Sequence, residues 1–424
     1  MRKQMPARTL RRGRIQSITA GAAGLLLVGA AAAPAHAESV REQQWHLSAM
    51  KAEQMWQTSK GKGVTVAVVD TGVDSDNPDL RGKVLEGKDF APASRAGDEH
   101  TDYDGHGTAM AGLIAGSGEY GGGKGAFGLA PGASVLPVRM PDIEDVSPFE
   151  VPSYFSKGIR YAADSGARII NVSMGGGMDS SELTEAVRYA LDKGALVFAG
   201  TGNDAEKKQG VGYPAATPGV VGVAAVGKNL RRTSWSQQGP HVDIAAPGDA
   251  IYALCRGGKG LCESHGTSDA TALASASAAL VWSKHPDWTN NQVLRVTLNT
   301  IGAPTDGAKR NDSIGYGIVR PRVALQNPGD PGPPDEYPLP DLKQSSSSSS
   351  SSSPAPSRSA AATPDDEGSP AAAPETADSG GAGAGATTWI VTGVGAAALI
   401  GGAVAALAVR KRRAAGNAHL TGRQ

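Results

Sequence analysis

Cysteine is almost missing from this 424-residue chain, which holds only Cys255 and Cys262. Two thiols are too few for a metal centre, which needs more ligands than the pair offers nearby. A net charge of zero hides a second shortage. Eleven of the 41 Lys and Arg residues, and none of the 41 Asp and Glu residues, lie in 1–37 and 410–424, so the stretch between carries a net charge of −11. That balance argues against nucleic acid as a partner and suits a soluble extracellular body. No carboxylate cluster stands out as a calcium site, so neither a metal nor a cofactor is expected.

Both ends carry targeting signals. Residues 1–37 run basic (Arg2, Lys3, Arg8, Arg11, Arg12, Arg14), then apolar through Leu25-Leu26-Leu27-Val28, then end on Ala35-His36-Ala37. This is the pattern of a secretory signal peptide cut before Glu38. The Arg11-Arg12 pair hints at twin-arginine export, but the residues after it fit that route poorly. Near the other end, Trp389 to Val409 lacks any charge and is long enough, at roughly 1.5 Å per residue, to cross a ~30 Å hydrocarbon core. Arg410-Lys411-Arg412-Arg413 follows, and the positive-inside rule leaves the tail 410–424 in the cytoplasm. The expected membrane helix spans 388–409, giving a single-pass, type I protein of the cell membrane with its body outside. In that oxidising compartment Cys255 and Cys262 are expected to pair, and their short loop would add roughly 2.5 kcal/mol of stability.

Between these ends, residues 38–58 form an N-terminal extension in which Trp45, Leu47, Met50, Met55 and Trp56 recur at near-helical spacing. A globular domain is expected over 59–326. Val64 to Val69 reads as a buried strand ending at Asp70, and 168–172, 195–199 and 220–226 read likewise. These runs alternate with helical stretches at 155–165, 181–193 and 269–284. Strand and helix in alternation predict a parallel sheet covered by helices. From Asn327 to residue 387 the composition turns to Pro, Gly, Ser and Ala, including the unbroken Ser345 to Ser353. Such a segment buries too little apolar surface to order itself and predicts a disordered linker.

Three short segments carry chemistry, in this order: Asp70-Thr71-Gly72 closing the first strand, Asp104-Gly105-His106-Gly107-Thr108, and Gly266-Thr267-Ser268-Asp269-Ala270. Ser268 opens an Ala-rich helix, whose positive end suits a nucleophile, though alone it reads equally as an N-cap serine. His106, bracketed by glycines, is placed as a general base, and Asp70 would emerge at the carboxyl edge of the sheet to hold it. Asp74 competes with Asp70 for that role. His100 reads as a surface residue, and His265 lies too close in sequence to turn its ring toward Ser268. Asn203, in Ala199-Gly200-Thr201-Gly202-Asn203, is either a turn residue or a donor to a developing oxyanion. The G-x-S-x-G of an α/β-hydrolase is absent, since Ala270 holds its fifth position.

These segments, with Asn171-Val172-Ser173-Met174-Gly175-Gly176 and Ala246-Pro247-Gly248, closely resemble the subtilisin-like serine peptidases over about residues 45–325. The resemblance implies a three-layer α/β fold with a parallel sheet between helices. It implies a triad of Asp70, His106 and Ser268 with Asn203 as oxyanion donor. Ser173, Met174, Gly175 and Gly176 would pair with an extended protein or peptide substrate. The whole architecture is similar to the mycosins, membrane-anchored proteases of type VII secretion in actinobacteria, which implies a secretion membrane complex as partner. A catalytically inactive scaffold for such a complex and a general surface protease are the alternatives. Two positions depart from the pattern: Asp269 stands where the family usually has Met or an aromatic, and Ala272 where it has Pro. Glu38 to Asp70 is too short for a folded pro-domain, since chains below ~40 residues rarely fold alone, so no autocatalytic pro-domain removal is expected. The acidic run Asp142-Ile143-Glu144-Asp145 reads as a solvated loop rather than a site for basic substrates.

Overall fold

A computed structural model describes residues 40–342, apart from 143–144, 177, 208–209 and 256–259. The expected signal peptide, the linker beyond 342, the membrane helix and the basic tail lie outside the described residues. Among the described residues no helix is long and apolar enough to cross a membrane.

Seven strands form one sheet: β1 (Thr65–Asp70), β2 (Lys88–Asp89), β3 (Ser134–Arg139), β4 (Ile169–Val172), β5 (Leu196–Gly200), β6 (Val220–Val226) and β7 (Ile244–Pro247). Their order is β2-β3-β1-β4-β5-β6-β7, and every pair is parallel, with Val69 opposite Val172 and Gly200 opposite Val223. An antiparallel hairpin, β8 (Ile251–Leu254) with β9 (Leu261–Ser264), stands beside it. The expected disulfide, Cys255–Cys262, closes that hairpin with the Cα atoms 4.9 Å apart.

Besides a distorted single turn at Tyr120–Gly123, the helices among the described residues are α1 (Val40–Gln43), α2 (Trp45–Met50), α3 (Ala52–Trp56), α4 (His106–Ala115), α5 (Val151–Asp164), α6 (Ser181–Asp192), α7 (Thr267–Lys284), α8 (Asn290–Asn299) and α9 (Pro321–Gln326). Period-two alternation divides the strands between two cores. Val66, Val68, Ile169, Phe198 and Val223 face α4 and α7. Ala67, Val69, Ile170, Val172 and Val197 face α5 and α6. The sheet therefore lies between two helical layers. Alanine explains why α7 runs through the body: from Asp269 to Trp282 every residue is buried, which only small side chains permit on all faces of one helix.

The near-helical spacing of the extension is realised as three short helices, α1 to α3, broken at Gln44 and at Lys51 (φ 61°). Gln44 is fully buried. Its side chain donates to the carbonyls of Phe127 and Tyr252 and accepts from the Phe127 N–H, so a buried clamp overrides helical continuity. Trp45 and Trp56 add donors to the carbonyls of Asp249, Ala250 and Leu129. The packed body also continues past the expected boundary at 327, as far as 342. Arg295 and Gln292 on α8 donate to the carbonyls of Pro331, Pro333, Glu336 and Gly332. Tyr337 donates to the Gly219 carbonyl, the Gly219 N–H donates to Asp341, and Leu339 is buried. Composition missed this strap because its backbone is satisfied by side chains of another element.

Candidate active site

Parallel neighbours β1, β4 and β5 end along one edge, and each delivers a polar residue there: Asp70, Ser173 and, three residues beyond its strand, Asn203. After Asp70 the chain turns through Thr71 and Gly72 (φ 112°). Only glycine serves at 107, because a Cβ would overlap the Gly72 carbonyl and crowd Asp70. That close approach lets the first turn of α4 rest on the end of β1.

Asp70 is fully buried, and its Oδ1 lies 2.6 Å from His106 Nδ1. The same oxygen accepts the Thr71 N–H at 2.8 Å. A carboxylate acceptor fixes the Nδ1–H tautomer, which leaves Nε2 as the basic nitrogen. Asp74 is elsewhere, closing its own turn on the Asp76 N–H. His100 is half-buried rather than on the surface, near Glu86 and Glu99. Among the described residues those three alone bring ligand atoms close enough for a metal; Glu86 is 95% exposed, and Glu99 already accepts the Gly87 N–H. His265 packs against Trp235, ring centroids 5.8 Å apart.

Ser268 lies in the first turn of α7. Its hydroxyl donates to the Ser173 carbonyl at 2.9 Å, which joins α7 to the segment after β4. Beneath this contact runs a relay missed at the sequence level. Ser275 donates to Asn171 Oδ1 at 3.0 Å, and Asn171 Nδ2 donates to Ser173 Oγ at 2.8 Å. Its signal was visible: an Asn inside an otherwise apolar strand must find buried partners.

Asn203 is held by its oxygen. Oδ1 accepts the N–H and the hydroxyl of Thr267 at 2.9 and 3.0 Å, an assignment of the amide made from these donors. Nδ2 therefore faces the other way. A methyl placed on Gly266 would sit 3.5 Å from the Ser268 N and 3.7 Å from Asn203 Nδ2, so two donors flank one point above Gly266. The surrounding cleft, about 640 Å³, is lined by Ser173 to Gly176, Gly200 to Asn203 and Gly210 to Gly212. The Gly176 N–H is already taken by the Tyr213 carbonyl, so substrate pairing would fall to the rest of that segment. Asp269, the departure beside Ser268, is buried and accepts the Ser264 hydroxyl at 2.9 Å.

The described ends of the acidic loop, Asp142 and Asp145, are ion-paired with Arg95 at 3.3 and 2.6 Å. Arg95 also lies over the Tyr103 ring, 4.4 Å from its centroid, and burial holds the Tyr103 phenol well above its usual range. A single guanidinium thus engages both carboxylates from within the chain.

Comparison with known proteins agrees with this geometry. A profile described as the Subtilase family matches residues 61–317. Subtilisin E of Bacillus subtilis (strain 168) is 36% identical over 271 residues, covering 63% of this chain and 66% of that protein, just under two thirds of its length. The structure of MycP1 from Mycobacterium smegmatis superposes with a TM-score of 0.62 at 27% identity, covering 70% of this chain and 87% of that one. The MycP3 protease from the type VII (ESX-3) secretion system follows at 0.57 and 32%, covering 66% and 88%.

Proposed function

This chain belongs to the subtilase family, and from that membership we propose that it is a serine endopeptidase working through an acyl-enzyme. The 2.6 Å contact between Asp70 and His106 carries the reading, because it sits on the strand edge where Ser268 and Asn203 are also held. In this mechanism the Ser268 hydroxyl turns from the Ser173 carbonyl, and His106 Nε2 takes its proton as Oγ attacks the scissile carbonyl. Asp70 keeps the tautomer and stabilises the imidazolium. The oxyanion gathers the Ser268 N–H and Asn203 Nδ2, donors fixed before reaction. His106 returns the proton to the leaving amine, and water then releases the acyl group by the same path.

The finer reading is a protease anchored by 388–409 and acting beside a type VII secretion complex on a local protein substrate. The uncharged stretch 389–409 with its basic flank supports the anchor. The likeness to MycP1 and to MycP3 of the ESX-3 system supports the partner.

A fluorophosphonate probe, which labels only activated serines, tests the core claim. Wild type should be labelled and Ser268→Ala should not, with both folded. A folded wild type that stays unlabelled would turn the reading toward the scaffold role.

A further inference from the structure

Asp102 lies four residues before His106. Its carboxylate collects five hydrogen bonds. Oδ1 accepts the Thr71 hydroxyl at 2.7 Å, the Gly105 N–H at 2.7 Å and the Asp104 N–H at 3.2 Å. Oδ2 accepts the Thr108 N–H at 2.8 Å and the Thr108 hydroxyl at 2.6 Å. Thr71 directly follows Asp70, while Gly105 and Thr108 bracket His106. While its hydroxyl donates to Asp102, Thr71 Oγ1 accepts the Gly107 N–H at 2.9 Å.

A single anion thus joins the turn that carries Asp70 to the first turn of the helix that carries His106. Helix α4 needs such a partner. Its N-cap is Gly105, which has no side chain to receive the unpaired N–H groups of the first turn. Asp102 takes that role from outside the helix, where a negative charge also suits the helix dipole. The Asp70–His106 contact cannot shift without breaking bonds to this carboxylate on one side or the other.

We propose that Asp102 is a positioning residue for the reaction, bridging the Asp70 turn and the His106 helix so that it governs kcat rather than substrate affinity. This rests on the serine-peptidase reading above. Asn at 102 turns an NH2 toward the Thr108 N–H, donor against donor, and frees one side of the bridge. A small misplacement of reacting groups costs on the order of 10²-fold.

The test uses the full chain in membranes, with an ester substrate and the fluorophosphonate probe. Asp102→Asn should lower kcat and the labelling rate constant per titrated site by about 10²-fold, with KM within a factor of about two. Asp102→Glu keeps the charge but not the reach, and should stay equally slow. Thr71→Val removes the bridge from its other end. It should be slow too, and the double variant should lose no more than the worse single one, because the two act as a unit. Should Asp102→Asn fail to fold, the near-isosteric Thr71→Val alone decides. Unchanged kcat per site in either variant, full activity in Asp102→Glu, or losses that multiply in the double variant would each overturn the bridge. An unlabelled, folded wild type would overturn the serine-peptidase reading and this proposal with it.

Discussion

Asp243 gives the clearest handle on stability. It stands just before β7, partly buried as a whole residue, and burial of its carboxyl pushes that group up to about 8 from 3.8. One of its oxygens accepts the Gly222 N–H at 2.9 Å. Asp341 on the C-terminal strap, Tyr316 and Tyr337 interact electrostatically with this carboxyl, and Arg310 opposes them. The folded chain keeps this proton to about pH 8, whereas the unfolded chain releases it near 3.8. Between those values the folded state binds more protons, so stability falls as pH rises, by about 1.4 kcal/mol per pH unit from this group. The full loss, reached above pH 8, is on the order of several kcal/mol. Asp341, also pushed up by burial, adds a slope of the same sign. Asp243→Asn keeps an acceptor for Gly222 but has nothing to ionise. Urea unfolding from pH 5 to 9, in a Ser268→Ala background to prevent self-cleavage, should show the variant gaining on the parent by about 1.4 kcal/mol per pH unit up to pH 8. Parallel stability curves for the two proteins would refute the argument.

Two further outcomes are expected. Asn203→Ala should lower kcat by on the order of 10²–10³, the loss known for this donor in subtilisin, and steady-state kinetics showing less than a threefold fall would make Asn203 a turn residue. Gln44→Ala orphans the Phe127 N–H and two carbonyls, Phe127 and Tyr252. It should destabilise the chain by about 3 kcal/mol, and a calorimetric shift equivalent to less than about 1 kcal/mol would mean that α1 to α3 are not clamped through it.

The strands and the three motif segments were readable because each has a local cause: an apolar run, a glycine that lets backbones touch, a small-residue helix start. Glycine at 107 is needed for a contact with Gly72, yet both glycines are visible in their own motifs. What stayed hidden depends on distant partners. Gln44 looks like one polar residue in an amphipathic pattern until Phe127 and Tyr252 meet it. The strap from 331 to 342 looks like linker until Arg295 supplies donors to its carbonyls. Asp102 is one acid among several in its loop, and only the fold brings Thr71 to it. Asp142 and Asp145 read as solvated until Arg95 is found beside them. In each case the deciding bond spans tens of residues, beyond any local pattern.

The strap also fixes where force enters the molecule. Tyr337 and Asp341 grip Gly219, immediately before β6 begins, whereas the cleft opens where β1, β4 and β5 finish. Leu342, the last described residue, therefore lies at the rear of the sheet, against Gly219. A pull applied at Leu342 would load α8 and the start of β6, as a mooring line loads the stern, while the cleft lies at the bow, where β1, β4 and β5 finish.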